Sequence, residues 1–334
     1  MNYIKFSNTN LTVSPVCLGT VNYGTTMAEQ DAKAQISRFL EAGGNFIDTA
    51  HVYGDWGDGP KCISERVIGK WIKENGNRDK FVLATKGAHP DWGHMDIPRV
   101  NKKGIEKDLN ESLKYLNTDY IDLYFLHRDD PNTSIAEIME CLDGTRKAGK
   151  IRYYGCSNWA LPRIKEAQAY CKEHGLQGFS CNQLMWSLAD VNFYNLPDKT
   201  FILMDEETRA YHAESGMNVM AYMSIAKGYF ARRAAGEKLP PSVTDVYASP
   251  SNDAIYELAN AVAAEGIYSY MDLSYMYIMA EKLFPSVPIA SFDNMGHLAE
   301  CVSCMEKNIP EDIMEKLAQL KKFVYWKNRP RAMI

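Results

Sequence analysis

The residues best suited to chemistry fall at the ends of three short apolar runs. Asn45-Phe46-Ile47-Asp48-Thr49-Ala50 brings a carboxylate, Asp48, to the end of one run, and the phenol of Tyr53 follows five residues later. Phe81-Val82-Leu83-Ala84-Thr85-Lys86 ends in an amine, and Ile121-Asp122-Leu123-Tyr124-Phe125-Leu126-His127 ends in an imidazole. A free tyrosine holds its proton near pH ~10, too tightly for efficient transfer at neutral pH. A lysine ammonium at close range lowers that value, and a carboxylate keeps the lysine charged and aimed. These types at strand ends predict proton transfer at a substrate oxygen. Tyr53 is the expected acid or base, Lys86 and Asp48 tune it, and His127 donates a hydrogen bond or relays a proton. Taken singly, each has a plainer reading as packed aromatic, ion pair or loop histidine, and their convergence favours the chemical one. No metal is needed: Asp129-Asp130, next to Pro131, read as turn residues.

Strands must deliver these groups. Buried parallel strands read as continuous apolar runs whose C-terminal ends form an active-site rim. The runs are Val16 to Leu18, Asn45 to Asp48, Val82 to Thr85, Ile121 to Leu126, Ile151 to Gly155, Gly178 to Asn182, Asn218 to Tyr222 and Val287 to Ala290. Helix patterns alternate with them: Glu29 to Ala42, Ser64 to Lys73, Lys102 to Leu116, Ser134 to Ala148, Leu161 to His174, Asp205 to Ser215, Asn252 to Ala280 in two pieces, and Asn294 to Lys307. Eight strand–helix alternations predict a closed (β/α)8 TIM barrel rather than an open sheet. Tyr3 to Phe6 and Leu11 to Val13 form a hairpin ahead of it, and Pro310 to Lys322 an extra C-terminal helix. The tail Trp326 to Ile334 could cover the barrel mouth. Ala88 to Val100, Ala189 to Lys199 and Tyr229 to Ala248 read as long loops of the kind that shape a substrate site. No composition break divides the chain, so residues 1–334 are expected to form one domain.

A net charge of −5 argues against a nucleic-acid or anionic-membrane surface. No apolar stretch is long enough to span a bilayer, and Met1 to Phe6 lacks the layout of a signal peptide, so a cytoplasmic location is expected. Eight cysteines spread through such a chain read as reduced thiols. Cys301-Val302-Ser303-Cys304 sits inside a helical pattern without a second ligand pair, which disfavours zinc or redox use. Oligomeric state has no signature in these residues.

The quartet resembles that of the aldo-keto reductases. Gly155-Cys156-Ser157-Asn158 resembles the family's Gly-x-Ser-Asn signature, Asn182-Gln183 its Asn-Gln pair, and Leu109 to Leu123 its third-helix-to-fourth-strand segment. The resemblance implies an oxidoreductase that interconverts carbonyl compounds and alcohols, with a nicotinamide cofactor and a small-molecule substrate. It implies that Ser157, Asn158 and Gln183 hold the carboxamide, that Tyr222 stacks on the ring, and that Gly19 and Thr20 border the cofactor. The phosphates fall to Ser224, Ile225, Lys227 and Gly228 and to the last strand-to-helix loop, in place of the absent Gly-x-Gly-x-x-Gly. Met223-Ser224 stands where the family reads Ser-Pro, which displaces a phosphate-facing serine. Members that use NADP(H) grip its 2′-phosphate with basic residues after the eighth strand. Here that loop offers Ser291, Asp293, Asn294 and His297, with no Lys or Arg, which favours NAD(H). The loop also has a simpler reading as a helix start capped by Asp293 or Asn294. Trp56, Trp92, Trp159 and Trp186 are expected as substrate walls, core packing being the rival for Trp186. Sugars and glycoside-like compounds fit aromatic walls, as do small aldehydes. The alternative is a non-catalytic cofactor-binding regulatory subunit on the same barrel; an isomerase is a weaker third.

Overall fold

A computed structural model describes residues 1–321 of the chain, so the Trp326 to Ile334 tail lies outside the described residues. Eight parallel strands close into a barrel: β3 (Cys17–Gly19), β4 (Phe46–Asp48), β5 (Val82–Gly87), β6 (Ile121–Leu126), β7 (Ile151–Ser157), β8 (Cys181–Met185), β9 (Asn218–Tyr222) and β10 (Ser286–Ala290), with β10 pairing back onto β3. Every residue of β6 is buried, as expected of a strand covered on one face by helices and on the other by the barrel interior. Ahead of the barrel, β1 (Ile4–Lys5) and β2 (Thr12–Val13) form the antiparallel hairpin. It plugs the N-terminal end of the barrel: Phe6 meets Phe46 edge-on at 5.8 Å, and Asn218, at the start of β9, bonds both backbone groups of Ser7. The opposite end is left open for a site.

The outer layer comprises α1 (Glu29–Glu41), α2 (Ile63–Asn75), α3 (Lys102–Tyr115), α4 (Ile135–Lys147), α5 (Leu161–His174), α6 (Glu206–Ser215), α7 (Tyr229–Ala234), α8 (Pro241–Tyr247), α9 (Pro250–Ala264), α10 (Tyr270–Met279), α11 (Met295–Cys304) and α12 (Glu311–Leu320). Side chains of Asn101, Ser134, Asp205, Ser249, Ser269 and Asn294 cap the N-termini of their helices, each contributing about 1 kcal/mol. Gly175 and Gly216 end α5 and α6 in the left-handed conformation that a side chain would strain. Cys301 and Cys304 are buried within α11.

Two expectations need correcting. The sixth barrel strand begins at Cys181 rather than Gly178, because the Gln168 side chain on α5 bonds both backbone groups of Phe179 and takes that stretch out of the ladder. The expected loop from Tyr229 to Ala248 holds α7 and α8, of 6 and 7 residues. Such helices are too short for a 3.6-residue pattern to stand out, and Pro240-Pro241 reads as a loop although proline suits a helix start.

Candidate active site

The rim brings the quartet together. Asp48 ends β4, Lys86 stands near the end of β5, His127 follows β6, and Tyr53 sits in the turns after β4. Backbone bonds from Thr49 N–H to Ala84 and from His51 N–H to Lys86 hold those turns against β5. The Lys86 ammonium donates to Asp48 Oδ2 at 2.6 Å, to the Thr49 carbonyl at 2.7 Å and to Tyr53 Oη at 3.1 Å. Asp48 Oδ1 accepts from Gln183 Nε2 at 2.9 Å, so both carboxylate oxygens are engaged. The Tyr53 and His127 rings lie edge to face, 5.9 Å apart. Asp48 and Lys86 are shut away from solvent, where an unpaired charge is costly.

Burial acts on every member. It pushes the Tyr53 phenol up; Lys86 pulls it down and Asp48 adds to the rise, leaving the net value raised. The sequence led us to expect a lowered phenol, and the difference is the cost of desolvating a phenolate. Tyr53 is therefore a protonated donor near neutrality. For Lys86, burial works against the ammonium, but pairing with Asp48 and Tyr53 outweighs it and holds the lysine charged. His127 is pushed far below the usual histidine range by burial and by His89, Arg128 and Lys86, so its ring is neutral. Its Nδ1 is buried without a hydrogen-bond partner among the described residues. A bare lone pair is the cheaper orphan, which places the proton on Nε2.

Asp48, Tyr53 and His127 border one cavity of about 1420 Å³, together with Gly19, Thr20, Ser157, Asn158, Gln183 and Tyr222, whereas Lys86 reaches it only through Tyr53 and Asp48. A side chain on Gly19 would meet Ser291 Oγ at 2.6 Å and Ile289 Cγ2 at 2.8 Å, so glycine lets β3 approach the end of β10. Asn158 takes a left-handed backbone (φ +61°), and its Oδ1 accepts from Tyr222 Oη at 2.6 Å and from the Ile202 N–H at 3.2 Å. Further along the cavity, Ser224, Ile225, Lys227 and Gly228 lead towards Ser291, Asp293 and His297. Ser224 Oγ is tied to the Ile289 carbonyl at 2.7 Å. Met223, Ala226 and Lys227 take positive φ, which is strained for residues that carry a side chain, and Gly228 follows in the same region.

Besides Lys86, three nominated residues do not border the cavity. Trp159 is fully buried, with its indole N–H on the Arg128 carbonyl at 3.0 Å and Phe179 against its ring. Trp186 packs on Tyr277 and Phe284 in the outer layer. Asn294 caps α11 by accepting from the His297 N–H at 3.0 Å. Trp56 and Trp92 do stand at the cavity, half-exposed, with rings 5.7 Å apart. Sequence reasoning missed His89, Arg128, Asp198, Phe201 and Tyr270, which also border it. His89 and Arg128 had a signal in their closeness to Lys86 and His127; the others come from loops without readable spacing. His51, Asp108 and Glu111 lie close together, but His51 Nε2 pairs with Glu111 at 2.9 Å and Asp108 is taken up by Arg99. Among the described residues no helix is long and apolar enough to cross a membrane.

Comparison with known proteins identifies the family of the chain. The family model described as Aldo/keto reductase family matches residues 15–322. The uncharacterized oxidoreductase YrpG of Bacillus subtilis is 33% identical over 239 residues, covering 70% of this chain and 69% of that protein. The aldo-keto reductase YhdN of the same organism is 33% identical over 242 residues, covering 71% and 66%. Norsolorinic acid reductase B of Dothistroma septosporum is 28% identical over 335 residues, covering 95% and 81%. With the match running from just before β3 to just past α12, the chain is an oxidoreductase of the aldo/keto reductase family.

Proposed function

We propose that the protein interconverts carbonyl compounds and alcohols with a nicotinamide cofactor, Tyr53 acting as general acid in reduction and general base in oxidation. The observation that carries this reading is the buried Tyr53–Lys86–Asp48 chain of hydrogen bonds at one end of the cavity. In reduction, Tyr53 Oη gives its proton to the carbonyl oxygen, and the Lys86 ammonium stabilises the phenolate left behind. Asp48 keeps Lys86 charged and, with the Thr49 carbonyl, fixes its direction. His127 Nε2–H donates a hydrogen bond to the same substrate oxygen, which strengthens as negative charge develops there.

When bound, the nicotinamide supplies the hydride in reduction and takes it up in oxidation. The donor set suits such a group: the Ser157 hydroxyl and the Gln183 Oε1 border the cavity and can meet a carboxamide, Asn158, bonded to Ser157 and Tyr222, positions them, and the Tyr222 ring offers a stacking face. In the left-handed run from Ala226 to Gly228 the Lys227 backbone amide is the one offered to a phosphate, since the Ala226 and Gly228 N–H groups donate to the Met223 and Ile225 carbonyls. At the far end, Asp293 and Glu300 border the cavity, and Arg232 is paired with Glu237 at 2.8 Å. That acidic balance supports NAD(H) over NADP(H).

The test is loss of reduced-cofactor absorbance over a panel of aldehydes and ketones. Turnover is expected; tight cofactor binding with no turnover of any carbonyl would favour a non-catalytic subunit instead.

A further inference from the structure

A second imidazole stands beside the proposed catalytic one. His89 lies three residues beyond Lys86, borders the cavity, and places its ring 4.8 Å from that of His127. The intervening backbone is held under strain. Ala88 has φ +58°, a conformation alanine adopts only when its surroundings impose it. Asp108 Oδ2 accepts from the Ala88 N–H at 2.8 Å, and Arg99, paired with that same carboxylate, donates to the His89 carbonyl at 2.8 Å. The ring is thus fixed before any ligand arrives.

Its protonation pattern follows from its partner. His89 Nδ1 lies 2.7 Å from the Pro90 carbonyl, which can only accept, so Nδ1 carries the proton and Nε2 keeps its lone pair. Burial pushes the His89 pKa down to about 4, with the Arg128 charge acting in the same direction, so the ring is neutral at pH 7. Among the described residues Nε2 has no hydrogen-bond partner, and it is not one of the sealed orphan atoms, so it is open to the cavity.

The other polar side chains that border the cavity around His89 are donors, in Tyr53, His127 and Arg128, or acceptors already in use. Asp198 receives Arg128 on Oδ2, and the Thr200 N–H and hydroxyl on Oδ1. A plain aldehyde brings one acceptor oxygen and an alkyl group, which would strand the His89 lone pair. We propose that His89 Nε2 accepts a hydrogen bond from a hydroxyl on the carbon next to the substrate carbonyl, so that the site selects 2-hydroxy aldehydes and ketones. Two imidazoles 4.8 Å apart then address oxygens on neighbouring carbons, one donating and one accepting. The assignment rests on the reductase reading and narrows its substrate class.

The matched pair 2-hydroxypropanal and propanal isolates that hydroxyl. The experiment is the ratio of kcat/KM for the two, corrected for free carbonyl, in the wild type and in His89→Phe and His89→Gln. The expected wild-type preference for the hydroxylated aldehyde is roughly tenfold, the worth of one hydrogen bond with its stranding penalty. His89→Phe should bring the ratio close to one, and His89→Gln, whose Oε1 can accept, should recover part of it. A wild-type ratio near one, or a ratio unmoved in His89→Phe, overturns the assignment and leaves the reductase reading standing. Failure of the wild type to turn over any carbonyl overturns both.

Discussion

Replacing Lys86 by Met removes the cation that touches both Asp48 and Tyr53. At the observed 3.1 Å between Nζ and Oη, and an effective dielectric of ~20, the ammonium favours the phenolate by about 5 kcal/mol as an upper bound. Loss of that stabilisation should lower the rate of carbonyl reduction by two to four orders of magnitude, the usual range for general-acid catalysis. The phenol pKa should also rise, so the alkaline limb of the pH–rate profile should move to higher pH. The same variant leaves the Asp48 carboxylate buried with Gln183 as its one remaining side-chain partner among the described residues, a loss of about 3–5 kcal/mol in stability. The double variant Lys86→Met/Asp48→Asn separates the effects, because it removes the orphaned charge and should regain stability without regaining rate. The assays are urea unfolding and steady-state reduction between pH 5 and pH 10. Near-wild-type rates with an unmoved profile in Lys86→Met would refute the coupling.

Three further outcomes are expected. Fluorescence titration should show NADH binding more tightly than NADPH; a salt-sensitive preference for NADPH would show that Lys227 or Arg232 reaches a 2′-phosphate. Global stability should fall on acidification, because His89 and His212 are buried with values pushed down to about 4. Each binds its proton more weakly folded than unfolded, so stability is full above the unfolded value of ~6.5 and drains as pH falls towards 4. The loss is about 2 kcal/mol per histidine between pH 7 and pH 5, and urea midpoints that do not change over this range would contradict it. Trp56→Ala or Trp92→Ala should raise KM several-fold while leaving stability within about 0.5 kcal/mol, since both rings are half-exposed; unchanged KM in both would remove them from the substrate wall.

Much of the barrel is legible in the sequence because its strands are short, buried on both faces and punctuated by helix-ending glycines. The quartet is legible for the same reason: strand ends can be located, and side chains there must face the rim. Legibility fails where side chains replace the ladder, as Gln168 does at Phe179, and where helices are too short to carry a period, as in α7 and α8. It fails again for Trp159. This residue is expected as a substrate wall, yet its indole N–H finds the Arg128 carbonyl and its ring packs against Phe179. The sign of the Tyr53 shift was unreadable because the charge partners are visible in sequence, whereas the depth of burial that outweighs Lys86 is a property of the folded chain.

The central claim is that one phenolic proton carries the chemistry, and Tyr53→Phe tests it most directly. The substitution removes one oxygen from a ring otherwise held by packing, so folding and cofactor affinity should stay close to wild type. The rate of carbonyl reduction at saturating cofactor should fall by about three orders of magnitude or more. A variant that binds cofactor normally and reduces carbonyls at nearly the wild-type rate would contradict the account.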